Sequence, residues 1–70
     1  MAEVYYDVDL IDPQFEVFKD EDGKYRFRLR APDGEILSIS PAFDKKDDCI
    51  TSIDLVKTHA PSASIQDMTG

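Results

Sequence analysis

Lys24-Tyr25-Arg26-Phe27-Arg28-Leu29-Arg30-Ala31 is the stretch that decides the fold. Cationic and apolar residues alternate through it without a break. A side-chain period of two belongs to a β-strand, so Tyr25, Phe27, Leu29 and Ala31 share one face and Lys24, Arg26, Arg28 and Arg30 the other. One apolar and one charged face fit an antiparallel strand with a core on one side and water on the other. Before it, Asp20-Glu21-Asp22-Gly23 reads as a turn, with Gly23 free to take positive φ. Phe15-Glu16-Val17-Phe18-Lys19 is rich in β-formers and makes a preceding strand. After it, Pro32-Asp33-Gly34 is a second turn and Glu35-Ile36-Leu37-Ser38-Ile39-Ser40 a third strand. Two short connections in a row give a three-stranded meander.

The pattern then changes. Cys49, Ile50, Ile53 and Val56 recur at helical spacing and predict the buried stripe of a helix. Asp44 is placed to cap it, with Asp47 near a capping-box position and Asp48 beside it in the first turn, where the helix dipole favours anions. Phe43, just before the cap, is placed to staple onto the stripe. Lys57 and His59 fall in the last turn, and Ala60-Pro61 ends the helix. Ser62 to Met68 reads as a short final strand. The fold class is therefore α+β, a βββαβ unit with an antiparallel meander and one packed helix. Upstream, Val4, Tyr6, Val8 and Leu10 alternate with Tyr5, Asp7, Asp9 and Ile11, a pattern that suits an added edge strand. Bunched acids and Asp12-Pro13 equally suit an arm. Residues 1–14 are read as this arm or edge strand and 15–69 as the domain.

Composition sets the limits on function. The chain has 70 residues, 8 Lys/Arg against 15 Asp/Glu, a net charge of −7, and 41% hydrophobic residues. That length accommodates one domain and none of the common enzyme scaffolds, which need upwards of about 100 residues. Four of the net negative charges, Glu3, Asp7, Asp9 and Asp12, fall in residues 1–12, which hold no base. The acidic balance argues against generic nucleic-acid binding and against adhesion to anionic membranes. No apolar run approaches the roughly 20 residues of a membrane span. The opening Met1-Ala2-Glu3 does not read as a secretory signal, so a cytoplasmic protein is expected. A chain this short buries only about 60% of its unfolded surface and is marginal alone. With one cysteine it has neither an internal disulfide nor a structural zinc site to compensate, and self-association is the remaining source of stability.

Three segments also resemble a known family. Phe15-Glu16-Val17-Phe18-Lys19-Asp20, then Gly23-Lys24-Tyr25-Arg26-Phe27-Arg28-Leu29-Arg30-Ala31, then Asp33-Gly34-Glu35-Ile36-Leu37 are similar to the opening of the YegP-like family of small domains of unknown function. Ile53-Asp54-Leu55-Val56-Lys57-Thr58-His59-Ala60-Pro61 resembles the family's Ile-x-x-Val-Lys-x-x-Ala-Pro helix ending. The resemblance covers residues 15–69. It implies βββαβ units that work in pairs, share one continuous antiparallel sheet and exchange C-terminal strands. For a chain with one unit it implies a homodimer. Pro41-Ala42-Phe43-Asp44 departs from the glycine, aromatic and serines usual before the family's helix, and the segment before Phe15 is longer than usual.

Candidate chemistry is sparse. Cys49 and His59 are the one thiol–imidazole pair, but ten residues of helix hold them about 15 Å apart, beyond hydrogen-bond reach. Cys49 reads as a small buried hydrophobe. Asp20-Glu21-Asp22-Gly23 fails the calcium-loop template, because aligning Gly23 puts Phe18 and Leu29 where acids are required. Asp44, Asp47 and Asp48 are explained by helix capping. No phosphate loop, dinucleotide fingerprint or nucleophile elbow occurs. No catalysis, cofactor or metal is therefore expected, and the protein reads as an interaction module whose own copy is its partner. One feature suggests a ligand: Lys24, Arg26, Arg28 and Arg30 point the same way and form a candidate anion, partner or single-strand surface. The competing account is cross-strand pairing with Glu16 and Glu35, or simple solvation of an outer sheet face.

Overall fold

A computed structural model of the chain describes residues 12–70. The segment Val4 to Ile11 lies outside the described residues. Three strands, β1 (Gln14–Lys19), β2 (Tyr25–Arg30) and β3 (Ile36–Ile39), form an antiparallel sheet in the order β1-β2-β3. A 14-residue helix, α1 (Lys46–His59), follows, and a single 3₁₀ turn spans Ala60–Ser62.

The alternation of β2 sets the architecture. Val17 pairs with Phe27, Phe15 with Leu29 and Lys19 with Tyr25, so these positions share the helix side of the sheet; Glu16 pairs with Arg28 and Phe18 with Arg26 on the outer side. The two hairpin turns are built alike. In the first, the Asp20 carboxylate accepts from the backbone N–H groups of Asp22 and Lys24 at 2.9 and 3.0 Å, and Gly23 takes φ 75°. In the second, the Asp33 carboxylate accepts from Glu35 N–H at 3.0 Å and Gly34 takes φ 93°. Each turn needs an acceptor at its start and a residue free to enter the left-handed region, and Asp and Gly supply them.

The third strand is shorter than the sequence suggests. Arg30 pairs with Ile36 and Leu29 with Ser38, so Leu37 is an extra residue bulged out of the ladder. Such a bulge keeps both flanking pairs while turning one side chain out of register, which a period-two reading does not reveal. Beyond β3 the chain keeps following β2. Ser40 N–H donates to Phe27 O at 2.9 Å, and Tyr25 and Phe43 exchange both backbone bonds, at 2.8 and 2.7 Å. Pro41-Ala42 adds one residue between these two pairings. The Ser40 hydroxyl repairs the gap: it accepts from Phe27 N–H at 2.9 Å and donates to Pro41 O at 2.8 Å.

The core is small. Phe27, Cys49 and Ile53 are buried, with Phe15, Val17, Tyr25 and Phe43 packed around them. Phe15 meets Phe27 edge-to-face, with ring centroids 5.7 Å apart. Phe27 and Ile53 thus join sheet to helix as their periodicities predict, and Phe43 packs beside them. The rest of the expected stripe is only partly covered: Ile50 is 40% and Val56 38% exposed. The helix lies against β1 and β2 and does not reach β3, so its second half overhangs the sheet.

Two further expectations are corrected. Asp44 does not cap α1. The N-cap is Lys45, with no side-chain cap bond, because the Asp44 carboxylate instead accepts from the Lys24 ammonium. The final strand expected over Ser62 to Met68 is not formed in the single chain. Ala60–Ser62 makes the 3₁₀ turn, and residues 63–70 carry no strand, with Ile65 95% and Met68 87% exposed. A strand needs a neighbouring edge to satisfy its backbone, and the tail pairs with none of the described strands.

Candidate functional site

The outer face of the sheet collects the chain's cationic row. Alternation along β2 sends Arg26, Arg28 and Arg30 to that face, and the hairpin register places their partners. Glu16 lies directly across from Arg28. Its carboxylate accepts from Arg28 Nε at 2.6 Å and from Arg30 Nε at 3.2 Å. Arg26 Nε donates to the turn residue Asp20 at 2.8 Å, and Lys24 pairs with Asp44 ahead of the helix. The Arg30 guanidinium also donates to Gly34 O at 2.6 Å, tying the row to the second turn. The Arg28 guanidinium lies over the Phe18 ring, 4.9 Å from its centroid. The structure therefore brings all four predicted cations into one array and gives each a carboxylate. Four cations against three carboxylates leave one positive charge in excess.

Glu16 was legible as a partner because it alternates on the outer face of the first strand. Glu35, the other predicted partner, pairs with none of these cations among the described residues. Asp20 and Phe18 were not expected in the array. Phe18 shares the parity of Glu16, so a signal for it exists; Asp20 joins only because the turn folds it back over Arg26.

The electrostatics follow from these contacts. The Arg28 and Arg30 guanidinium groups hold the Glu16 carboxyl below its ordinary value, chiefly through the Arg28 hydrogen bond. Arg26, reinforced by two backbone N–H groups, does the same for Asp20. Asp44 raises the Lys24 ammonium. Burial alone pushes the Cys49 thiol up. All four move away from neutrality, the reverse of what general acid–base or thiolate catalysis requires.

The other candidates stay apart. Cys49 is fully buried in the core while His59 is exposed at the helix end. The Asp20 turn is satisfied by its own backbone and Arg26, and among the described residues no three His, Cys, Asp or Glu side chains converge as a metal cluster. Among the described residues, two shallow hollows lie beside the sheet. One of about 200 Å³ lies between Gln14, Arg30 and the Pro32–Gly34 turn. One of about 330 Å³ lies between Val17, Phe18, Tyr25 and Lys46. Neither brings a nucleophile and a base together. No helix among the described residues is long and apolar enough to cross a membrane.

Residues 20–67, from the first turn through the helix to the exposed tail, match the family model described as Domain of unknown function (DUF1508). The chain belongs to this family. Its DUF1508 relatives include a UPF0339 protein of Methanosarcina acetivorans, 50% identical over 52 residues that cover 74% of this chain and 90% of the relative. A UPF0339 protein of Treponema denticola is 38% identical over the same shares of both chains. The solution NMR structure of a protein from Haloferax volcanii superposes with a TM-score of 0.74 at 34% identity, covering 83% of this chain and 98% of that one. The family's description, a domain of unknown function, agrees with the YegP-like resemblance in naming no activity.

Proposed function

We propose that this chain is a non-catalytic interaction module that works as a homodimer in the cytoplasm, the two units exchanging their C-terminal segments as strands. The observation that carries this reading is the set of apolar surfaces left uncovered around β3. The helix does not reach β3, Ile36, Leu37 and Ile39 are exposed there, Val56 continues the core stripe beyond the sheet, and Ile65 and Met68 stand in solvent. A second copy supplies what is missing: its tail offers a strand to the side of β3 that no described strand pairs, and its apolar residues cover the overhanging stripe. One unpaired buried thiol is ordinary in a reducing compartment. Sedimentation at micromolar concentration tests the reading. A species of twice the chain mass supports it, and a monomer of 7.9 kDa at every concentration overturns it.

The second reading, a weak anion or single-stranded nucleic-acid binder, is favoured by the line of guanidinium groups with Phe18 beneath Arg28. The carboxylates already engaged by Lys24, Arg26, Arg28 and Arg30 weigh against it. An oligonucleotide titration followed at these four residues separates the two readings, because phosphate binding weakens steeply with salt.

A further inference from the structure

The outer face of the sheet carries more than charge. Residues directly opposite each other in an antiparallel pair share a face, and β3 pairs Ile39 with Arg28 and Ile36 with Arg30. Both isoleucines therefore stand on the outer face beside the arginines, where they are 55% and 43% exposed. On the other flank, Phe18 of β1 lies under the Arg28 guanidinium. The arginines thus run between an aromatic and an aliphatic border. We propose that this face docks an extended acidic segment of another protein, with its carboxylates on Arg28 and Arg30 and its apolar side chains on Ile36 and Ile39.

Charge names the occupant. Glu16 accepts from the Nε of both arginines, at 2.6 and 3.2 Å. One carboxylate thus answers two guanidinium groups, and the trio keeps one positive charge. On a chain of net charge −7 this is a place where an acidic partner meets opposite charge. Glu16 also shows the fit, since the terminal nitrogens of a guanidinium offer a second carboxylate the same kind of donor. Both side chains are already held, Arg28 between Glu16 and the Phe18 ring and Arg30 between Glu16 and Gly34 O, so binding costs them little freedom. Spacing agrees. Arg28 and Arg30 stand at alternate positions of one strand, the period of side chains along an extended peptide. Running above the seam between β2 and β3, such a segment sends one set of side chains to the arginines and the other to the isoleucines. The borders favour a peptide over a nucleic-acid strand. Single strands bind by stacking bases on aromatic faces. Among the described residues Phe18 is the aromatic ring on this face, and Arg28 already lies over it. The isoleucines give a base no ring to stack on but suit an aliphatic side chain.

The test uses the full chain and a capped peptide of alternating Glu and Leu. It should shift the Nε–H signals of Arg28 and Arg30 and the methyl signals of Ile36 and Ile39. It should bind at least about tenfold more tightly than Gln-Leu and Glu-Ser peptides of equal length, which lack the charge and the apolar side chains respectively. Arg28→Gln and Ile39→Ser, each checked for folding by circular dichroism, should each weaken binding by about fivefold or more, as loss of an interface anchor does. Leu55→Ser, at an exposed position of α1, should leave it unchanged. Absence of binding, equal binding by either control peptide, or shifts centred on other residues overturns the proposal. Tighter binding of oligothymidylate overturns it in favour of the nucleic-acid reading. Binding that appears only after deletion of residues 2–11 overturns it as well, because the chain's own acidic N-terminal segment would then be the occupant.

Discussion

Ser40 shows how much one side chain can settle in a core this small. Pro41-Ala42 inserts a residue into the ladder opposite β2, and the N–H of buried Phe27 would lose its acceptor there. The Ser40 hydroxyl takes the place of a carbonyl and passes its own proton to Pro41 O. Ser40→Ala is expected to cost about 1–3 kcal/mol, the desolvation penalty of an orphaned buried donor, read from chemical denaturation. Phe27→Ala should cost about 3–5 kcal/mol through cavity formation. Since Phe27 joins sheet to helix, that loss should unfold the protein, whereas Arg28→Ala, on the opposite face of the same strand, should fold; the reverse pattern by circular dichroism would contradict the facing of β2. The face of Phe27 was legible in the sequence because strict alternation admits one assignment. The role of Ser40 was not, because a serine ending a strand looks like any turn residue until the register across from it is known.

At the scale of elements, the strands and helix follow from periodicity, while their ends follow from competition between partners. Asp44 has the chemistry of an N-cap and precedes a helix, yet the Lys24 ammonium claims its carboxylate and the cap position falls one residue later, on Lys45. Leu37 looks like a strand residue and is bulged. Both outcomes depend on contacts distant in sequence. The cationic row tests the element as a unit. Because its ion pairs are at least partly exposed, replacing Arg26, Arg28 and Arg30 together with Gln should lower stability modestly, at about 0–1 kcal/mol per pair. The pH profile gives a second measure. Glu16 and Asp20 have folded values depressed below their ordinary 4.5 and 3.8. Their contribution is therefore complete above those ordinary values and is lost as pH falls through the depressed ones. Lys24 is raised above 10.5, so its contribution is complete below that value and is lost as pH rises through the raised one. Denaturation midpoints should be flat near neutrality and fall on acidification below about pH 4. Glu16→Gln should reduce the acid-side decline.

For the whole molecule, the question is what completes a sheet and helix that, among the described residues, bury only Phe27, Cys49 and Ile53 as apolar core. Marginal burial at this chain length was already visible in composition, and the exposed tail gives it a location. In a single chain Ile65 has nothing to pack against, so an acid at that position should be harmless to a monomer. In an exchanged dimer the same residue would enter the partner's sheet, and Ile65→Asp would place a carboxylate in the shared core. The variant should therefore shift the sedimentation boundary toward one chain mass and lower the melting temperature by far more than an ordinary surface substitution, which stays within about 0.5 kcal/mol. Mass action adds an independent signature. Since only the associated state would be stable, the melting temperature of the unaltered protein should rise with protein concentration, and that of Ile65→Asp should lose most of this dependence. A melting temperature independent of concentration, together with an Ile65→Asp variant as stable as the parent, would mean that the uncovered apolar surfaces around β3 belong to a monomer and are met by some other partner.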